Sequence, residues 1–344
     1  MDEATLKAVE KLKAIRTRTD LSLKPTKYLK KTITFPDGGT RDLKLRYYQI
    51  QMVCHLLVMN QFIVGDDVGL GKTVESIAAS CYIWEKNPDL STLVLTKKSV
   101  VTQWKDEFER FTEGVSVFIA RGTKAQRQKA YEAYKKAPNP KVLIAGYRTI
   151  VQDFTLLQSY PFGLVIFDEA TMFKNPSAQV HQVCRHIASQ AKRVWGLTGT
   201  LIKNNLVEGY GIYRVVCPTL FPQSSSAFQN EYCIVVMMDI KGRKIPTIKG
   251  YRMSDIERFK NLIEPYYLGR PKHEVATELP PLTTTVISVG LTDFQKKKYK
   301  EAIDGLLTIG KTARLEAGER EVSKLTAVTY CQEIVNHPGL IGYE

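Results

Sequence analysis

Two separated segments of the sequence combine glycines, a lysine and paired carboxylates. The first runs from Asp66 to Thr73 and the second from Asp168 to Thr171. Each follows an apolar run, Phe62–Val64 before the first and Leu164–Phe167 before the second. Such runs predict buried strands, and ligands of parallel α/β sheets bind at the carboxyl ends of the strands. Together the two segments predict a site for a nucleoside triphosphate and its magnesium ion.

The first segment is suited to holding phosphate, although Asp66 stands where the pattern G-x-x-x-x-G-K-[ST] has its first glycine. A helix is predicted from Thr73 to Lys86, so backbone amides and the helix N-terminus converge on one anion. Lys72 would neutralise the terminal phosphates and Thr73 would ligate magnesium. The other loop residues expected to contact the nucleotide are Asp67, Gly69, Leu70 and Gly71.

The sequence contains one complete match to the phosphate-loop pattern elsewhere, from Gly305 to Thr312. It follows residues 293–303, a polar helical pattern with no buried strand that could position such a loop. We therefore expect the segment at Asp66, and not the complete match, to bind phosphate.

The charge of the chain favours a polyanionic partner. The 344 residues carry a formal net charge of +14, which makes nucleic acid the first candidate and a lysine-rich solvated surface the alternative. No apolar run approaches the roughly twenty residues that span a bilayer, and Met1-Asp2-Glu3 is unlike a signal peptide. We expect no membrane association and a cytoplasmic location. The six cysteines form no C-x-x-C pair, which argues against a zinc cluster or a disulfide framework.

Apolar periodicity divides the chain into three predicted parts. Residues 1–43 form a leader with a helix from Asp2 to Arg18 and a hairpin built from residues 32–35 and 43–45. In residues 44–205 helical patterns alternate with strands, which indicates an α/β fold with a doubly wound, mostly parallel sheet. These strands are expected at residues 62–64, 92–95, 115–119, 142–145, 164–167 and 194–197. Residues 206–344 are predicted to be a helical appendage with one strand-like segment, Thr283–Val289.

Several further segments follow the order found in a known family. In the lobe these are Leu45–Gln49, Asp66–Thr73, Leu93–Ser99 with Gln103-Trp104, Tyr147, Asp168–Thr171 with Lys174–Ser177, and Leu197–Thr200 with Asn204-Asn205. In the appendage they are Leu268–Lys272, Leu279-Pro280, Leu291–Gln295 and Asn336–Pro338. From about Lys44 onward the chain resembles the Swi/Snf-type double-stranded DNA translocases of helicase superfamily 2. Any one appendage segment alone is explained by packing and turn chemistry.

This resemblance implies a RecA-like P-loop NTPase lobe that uses ATP and Mg²⁺ and binds double-stranded or branched DNA. Arg46 and Gln49 are expected to recognise adenine. Asp168 would hold magnesium, mostly through water, and Glu169 would orient and deprotonate the water that attacks the γ-phosphate. Lys72 would stabilise the departing diphosphate. The residues expected to contact DNA, chiefly at phosphates, are Lys98, Ser99, Tyr147, Lys174, Asn175, Thr200 and Asn204.

Two aromatic residues among these segments have a structural interpretation as well. Tyr147 belongs equally well to the core. Trp104 is expected to pack its helix against the sheet, as a tryptophan at a helical position usually does.

Some positions depart from the family pattern. Thr171 stands where the family usually has a histidine that links the nucleotide site to the segment around Thr198. Leu201 and Lys203 replace a proline and a glutamine, and Gly269 replaces the first of two arginines. We therefore expect hydrolysis and DNA binding to be coupled in a different way.

The family also requires a second RecA-like lobe, whose arginines stabilise charge on the transferring phosphoryl group. The sequence stops at Glu344, soon after Asn336–Pro338. We expect it to be the first lobe of a longer protein, weakly active or inactive as an ATP hydrolase alone.

Two classes of function follow. The first is a motor that couples ATP hydrolysis to movement on duplex DNA and remodels DNA or its complexes. The second is a nucleotide-gated DNA-binding module without turnover. A GTP-binding switch fits poorly because no N-K-x-D-type segment follows the phosphate loop. We expect a bacterial or virus-infected host cytoplasm, or the nucleus if the source is eukaryotic.

Overall fold

A computed structural model describes residues 3–34, 38–158, 160–203, 205–240, 243–278, 283–300, 302–303 and 324–337. The chain divides into two compact units, Met1–Leu279 and Pro280–Glu344. This division differs from the boundary predicted near residue 205, because residues 206–278 belong to the same unit as the sheet. In the described parts of the chain, no helix has both the length and the apolar character needed to cross a membrane.

The first unit contains eleven strands and twelve α-helices among the described residues. The strands are β1 (Thr32–Thr34), β2 (Thr40–Asp42), β3 (Gln61–Val64), β4 (Thr92–Thr96), β5 (Ser116–Ala120), β6 (Lys141–Gly146), β7 (Leu164–Asp168), β8 (Arg193–Leu197), β9 (Ile234–Ile240), β10 (Arg243–Gly250) and β11 (Tyr267–Leu268). The helices are α1 (Glu3–Arg16), α2 (Tyr47–Val58), α3 (Lys72–Lys86), α4 (Val101–Phe111), α5 (Lys124–Lys136), α6 (Tyr147–Gln152), α7 (Phe154–Leu157), α8 (Gln179–Gln190), α9 (Leu206–Val216), α10 (Ser225–Tyr232), α11 (Met253–Ile263) and α12 (Lys272–Val275). Short 3-10 turns occur at Ala170–Phe173 and Glu264–Tyr266.

A seven-stranded parallel sheet with the order β11-β3-β8-β7-β4-β6-β5 forms the centre of this unit. Its five inner strands are almost entirely buried, as in a sheet covered by helices on each side, whereas the outer strands β5 and β11 are partly buried. Val165 and Phe167 of β7 belong to one apolar cluster, whereas Leu164 and Ile166 belong to the cluster on the other face. The α/β fold with a parallel sheet predicted from the sequence is confirmed, and every end of the six predicted strands lies within one residue of the observed end.

The leader forms the predicted helix and hairpin with small shifts. β1 and β2 pair antiparallel with Thr32 opposite Asp42, so the second strand ends before Leu43 instead of beginning there. The leader belongs to the same compact unit as the sheet.

The appendage was predicted to be helical, but part of it is a two-stranded antiparallel ribbon. β9 and β10 pair with Pro246 opposite Met237. Proline is tolerated there because each strand of an isolated ribbon has a free edge that needs no N–H donor. Val235 and Ile248 pack against the core and attach the ribbon to the unit.

Chain segments after the ribbon return to the sheet. β11 adds to β3 in parallel, with Tyr267 opposite Ile63 and Leu268 opposite Val64, and the sequence did not predict this strand.

In the second unit, residues 293–300 and Lys324–Asn336 are helical, and the strand predicted at Thr283–Val289 is not formed. The complete phosphate-loop match at residues 305–312 lies outside the described residues.

Candidate active site

The candidate site lies at the carboxyl ends of three adjacent parallel strands. β8 pairs with β3 on one side and β7 on the other, and Leu197 is level with both Val64 and Asp168. The loops that follow these strands therefore meet at one edge of the sheet. Thr198 N–H donates to the carbonyl of Val64 at 2.9 Å, and a Cβ on Gly199 would lie 3.9 Å from Lys72 Nζ. The register thus brings the lysine segment and the carboxylate segment together.

The phosphate loop adopts a conformation that requires glycine at two positions. Gly69 has φ 91° and Gly71 has φ 98°, both in the left-handed region, and Gly71 is the N-cap of α3. Lys72 opens the helix, and its ammonium donates to the carbonyls of Asp66 at 2.6 Å and Asp67 at 3.3 Å. The backbone carbonyls of the loop therefore hold the Lys72 ammonium beside the first helical turn of α3, where anions bind favourably.

A buried ion pair between Asp66 and Arg270 holds the start of the phosphate loop. The Asp66 carboxylate is fully buried and accepts hydrogen bonds from Arg270 N at 3.1 Å, from Arg270 Nε at 3.0 Å and from Nη2 of the same guanidinium. Arg270 also donates to the carbonyl of Tyr48 at 2.8 Å and to Gln51 Oε1 at 3.1 Å. The residue that departs from the glycine pattern is thus a buried anchor for the segment after β11.

A second buried carboxylate lies next to this pair. Glu75 on α3 is fully buried, and its Oε1 lies 3.7 Å from Arg270 Nη2. Within the described part of the chain, neither carboxylate oxygen of Glu75 has a hydrogen-bond partner. Burial, and then the neighbouring charge of Asp66, raise the pKa of Glu75 well above its usual value, against the opposing charges of Arg270 and Lys72.

A cavity of about 250 Å³ opens beside the phosphate loop. Its lining consists of Arg46, Tyr48, Gln49, Gly69, Leu70, Lys272 and Ala276. Both residues predicted to recognise adenine therefore border one cavity.

The two predicted base-recognition residues already hold each other in place. Gln49 Oε1 accepts from Arg46 N at 3.0 Å, and Gln49 Nε2 donates to the carbonyl of Leu70 at 2.9 Å. The Arg46 guanidinium pairs with Glu278. Lys272, Ala276 and Glu278 were missed by the sequence reasoning, because they come from the appendage and are far from Arg46 and Gln49 in the sequence.

Two donors from neighbouring elements hold the first carboxylate of the second segment. Asp168 Oδ2 accepts from Thr96 Oγ1 at 2.7 Å and from Trp104 Nε1 at 2.8 Å. Within the described residues no hydrogen bond reaches Asp168 Oδ1. Oxygen atoms are the ligands that Mg²⁺ prefers, usually one or two carboxylates together with substrate phosphates. The free oxygen of Asp168 and the hydroxyl of Thr73 therefore fit a magnesium ion bound with a nucleotide.

Glu169 has a strained backbone and a half-exposed side chain. Its φ of 54° is the one positive value for a non-glycine residue among the described residues. Such strain concentrates at functional sites. Its Oε1 lies 3.7 Å from Lys97 Nζ, a contact that the sequence analysis did not anticipate.

The two aromatic residues with alternative interpretations are both buried. Tyr147 is 2% exposed, and its hydroxyl donates to the backbone carbonyl of Asp168 at 2.6 Å, which favours the core interpretation over a DNA contact. Trp104 is 1% exposed and lies in the apolar cluster that contains Val94 and Ile166 of the sheet, as expected. Its hydrogen bond to Asp168 was missed.

The other predicted DNA contacts occupy different environments. Lys98 and Ser99 are exposed in the turn between β4 and α4, and Asn175 and Thr200 are also exposed. Lys174 is paired with Glu208 at 2.5 Å. Asn204 lies outside the described residues. Their contacts with DNA stay a prediction.

The departure at Gly269 has a steric explanation. A Cβ at this position would lie 2.2 Å from the Tyr267 hydroxyl, and a Cβ on Gly65 would lie 2.3 Å from the same ring. Tyr267 thus fills the space that a larger residue at 269 would need.

The Thr198 hydroxyl donates to the carbonyl of Thr200 at 2.8 Å rather than to Thr171.

Comparisons with known proteins identify the family to which this chain is similar. The SNF2-related domain family matches residues 48–340. A mouse protein, chromodomain-helicase-DNA-binding protein 1-like, is 32% identical over 311 residues, covering 88% of this chain and 32% of that protein. The yeast nuclear protein STH1/NPS1 is 27% identical over 280 residues, covering 80% of this chain and 20% of the relative. The chain therefore spans about a third or less of the length of these relatives.

A solved structure shares the fold. The Sulfolobus solfataricus SWI2/SNF2 ATPase core in complex with dsDNA superposes with a TM-score of 0.60 at 24% identity, covering 94% of this chain and 62% of that one. Since the family match extends over most of the chain and includes both segments of the site, this protein belongs to the SNF2-related domain family.

Proposed function

We propose that this chain is the first, nucleotide-binding lobe of an ATP-dependent double-stranded DNA translocase that remodels DNA or DNA-bound complexes. The observation that carries the proposal is the meeting of the Lys72 loop and the Asp168-Glu169 pair across the end of β8. Family membership supports the same conclusion.

In the proposed reaction the loop amides and Lys72 bind the β- and γ-phosphates of ATP and stabilise the charge of the departing diphosphate. Thr73 and Asp168 would hold Mg²⁺, which neutralises charge on the phosphate oxygens when it is bound. Glu169 would orient the attacking water and accept its proton, because its side chain reaches solvent at the edge of the site. Arg46, Gln49 and Lys272 border the cavity proposed for adenine.

Double-stranded DNA is the proposed partner. The formal charge of +14 supports a polyanion, and the archaeal structure of the same fold is a complex with dsDNA. Lys98, Ser99, Asn175 and Thr200 are exposed and remain the proposed phosphate contacts, whereas Lys174 would first have to leave Glu208. Contacts with phosphates give weak sequence preference and strong salt dependence.

Turnover is proposed to require a second RecA-like lobe of the same full-length protein, which supplies arginines to the transferring phosphoryl group. One relative is named a nuclear protein, which supports a nuclear location if the source is eukaryotic. A bacterial or virus-infected host cytoplasm is the alternative proposal.

The test measures the ATPase rate with and without duplex DNA, over a salt series, for this chain and for a form extended by the second lobe. We expect DNA-stimulated turnover in the extended form, and loss of turnover in Lys72→Ala. Lys86→Ala is the matched control, because Lys86 is an exposed lysine in the last turn of the same helix. Nucleotide-dependent DNA binding without turnover in either form would favour the gated binding module instead.

A further inference from the structure

Trp104 makes a directed polar contact in addition to its packing. The residue lies on α4, its side chain is 1% exposed, and its indole N–H points to Asp168 Oδ2 at 2.8 Å. The indole ring has a single polar atom, which is a donor only, so its position fixes the direction of the hydrogen bond. A hydrogen bond to an ionised carboxylate is roughly twice as strong as a neutral one.

The same carboxylate oxygen receives a second donor from the sheet. Leu95 of β4 pairs with Phe167 of β7, so the next residues, Thr96 and Asp168, are neighbours on adjacent strands. The buried Thr96 hydroxyl donates to Asp168 Oδ2 at 2.7 Å. Two rigid elements therefore hold one oxygen of the carboxylate and leave the other without a hydrogen bond from the described residues.

We propose that Trp104 and Thr96 are positioning residues that aim Asp168 Oδ1 at the magnesium ion of a bound nucleotide. This inference depends on the proposed function, since it concerns the same site. Because both donors bind Oδ2, they fix the plane of the Asp168 carboxylate. Rotation about the Cβ–Cγ bond would break two short hydrogen bonds. Groups that orient a metal ligand in this way tune metal affinity, although they do not touch the metal.

The other two tryptophans show that this contact is not a general consequence of burying an indole. Trp84 on α3 is fully buried and donates to Thr92 Oγ1 at 3.1 Å, which links a helix to the sheet without a charged partner. The N–H of Trp195 on β8 is buried and has no hydrogen-bond partner in the described part of the chain. Only Trp104, of the three, is directed at a carboxylate of the site.

The test uses Trp104→Phe and Thr96→Val, which each remove one donor to Asp168 and keep most of the side-chain volume. Trp84→Phe is the matched control, because it removes a buried indole hydrogen bond that does not involve Asp168. For each protein, the Kd of a fluorescent ATP analogue is measured by anisotropy in excess Mg²⁺ and in EDTA. Mn²⁺ replaces Mg²⁺ in a parallel experiment, where electron paramagnetic resonance reports the bound ion directly.

We expect the ratio of Kd in EDTA to Kd in Mg²⁺ to fall roughly tenfold or more in Trp104→Phe and in Thr96→Val. The Kd in EDTA and the values for Trp84→Phe should match the wild type. A ratio in Trp104→Phe equal to that of Trp84→Phe would overturn the inference. An equal loss of affinity in Mg²⁺ and in EDTA would also overturn it, because it would show a role in packing alone.

The inference and the proposed function fail in different ways. If the wild type binds no ATP analogue in either condition, the proposed nucleotide site is wrong and the inference falls with it. If the wild type shows Mg²⁺-dependent binding and both donor variants retain it, the proposed function stands and only the positioning role is refuted.

Discussion

Replacement of Arg270 by methionine should destabilise the first unit strongly. Arg270 is 9% exposed, and its side-chain nitrogens donate four of the five hydrogen bonds described above, to Asp66, Tyr48 and Gln51, all within 3.1 Å. Arg270→Met keeps an unbranched side chain but leaves the Asp66 carboxylate buried without its cation. Removing one partner of a buried ion pair costs about 3–5 kcal/mol. We expect a loss of that size in the free energy of unfolding.

A second buried acid lies beside the same guanidinium. Glu75 Oε1 lies 3.7 Å from the same guanidinium and has no hydrogen-bond partner in the described part of the chain. Without Arg270, two carboxyl groups would share a site with no neutralising charge at that distance. The double variant Asp66→Asn with Arg270→Met should recover part of the loss, since an amide carries no charge to desolvate.

Urea unfolding followed by tryptophan fluorescence is the appropriate assay, because all three tryptophans lie in the first unit. Arg258→Met is the matched control. Its guanidinium pairs with Glu231 at 2.5 Å, but the arginine side chain is 59% exposed, so we expect a loss of at most about 1 kcal/mol. If Arg270→Met and Arg258→Met lower the free energy of unfolding by the same amount, the buried pair of Asp66 and Arg270 does not stabilise the phosphate loop.

Three further predictions follow from the structure: two concern buried titratable groups and one concerns a close steric contact. Burial lowers the pKa of His55 to about 4, so its stabilising effect is complete above its usual pKa of 6.5 and is lost as the pH falls towards 4. By pH 4 the wild type should lose about 3 kcal/mol of its free energy of unfolding through His55, and His55→Gln should not show this loss when urea unfolding is measured over the same pH range. An equal pH dependence of the unfolding free energy in the two proteins would contradict the prediction. The raised pKa of Glu75 has the opposite sign, because the folded state keeps a proton that the unfolded state releases above pH 4.5. Glu75→Gln should therefore gain stability relative to the wild type as the pH rises, and a constant difference would count against this. Gly269→Ala should cost about 1–3 kcal/mol, because its Cβ would lie 2.2 Å from the Tyr267 hydroxyl. Gly250→Ala is its control, with no atom within 4 Å of the added Cβ, and equal unfolding energies for the two variants would refute the steric argument.

The sheet was predictable because parallel strands buried on both faces appear in the sequence as continuous apolar runs. Leu164–Phe167 is such a run, and it lies in β7 as expected. The ribbon of β9 and β10 was missed because Gly242 and Pro246 are residue types typical of turns and loops, whereas an isolated ribbon accommodates proline at a free edge. The run Ile234–Val236 of β-branched residues was the available signal. β11 has only two residues, too few for any periodicity.

The site was predictable only as far as its members are adjacent in the chain. Lys72, Asp168 and Glu169 lie at or shortly after the carboxyl ends of buried strands, so their positions follow from the sheet. Their supporting partners are distant: Trp104 is 64 residues from Asp168, and Arg270 is 204 residues from Asp66. No local pattern connects such residues, since the contact depends on strand order and on the return of the chain at β11.

The contacts on either side of β11 also determine which residues the proposed nucleotide-binding lobe needs. The Arg16 guanidinium of α1 donates to the carbonyls of Glu264 and Tyr267, both at 2.9 Å, and so holds the segment that enters β11. Beyond β11, Lys272 N donates to Asp67 Oδ2 at 2.8 Å.

A lobe ending at residue 205 would lose Arg270 and one wall of the base cavity, and it would leave Asp66 buried with an unpaired charge. We therefore expect the smallest stable form of the proposed nucleotide-binding lobe to extend from α1 to about residue 278. Because the same residues support the phosphate loop and belong to the segment after β11, we expect nucleotide binding and the position of that segment to influence each other reciprocally.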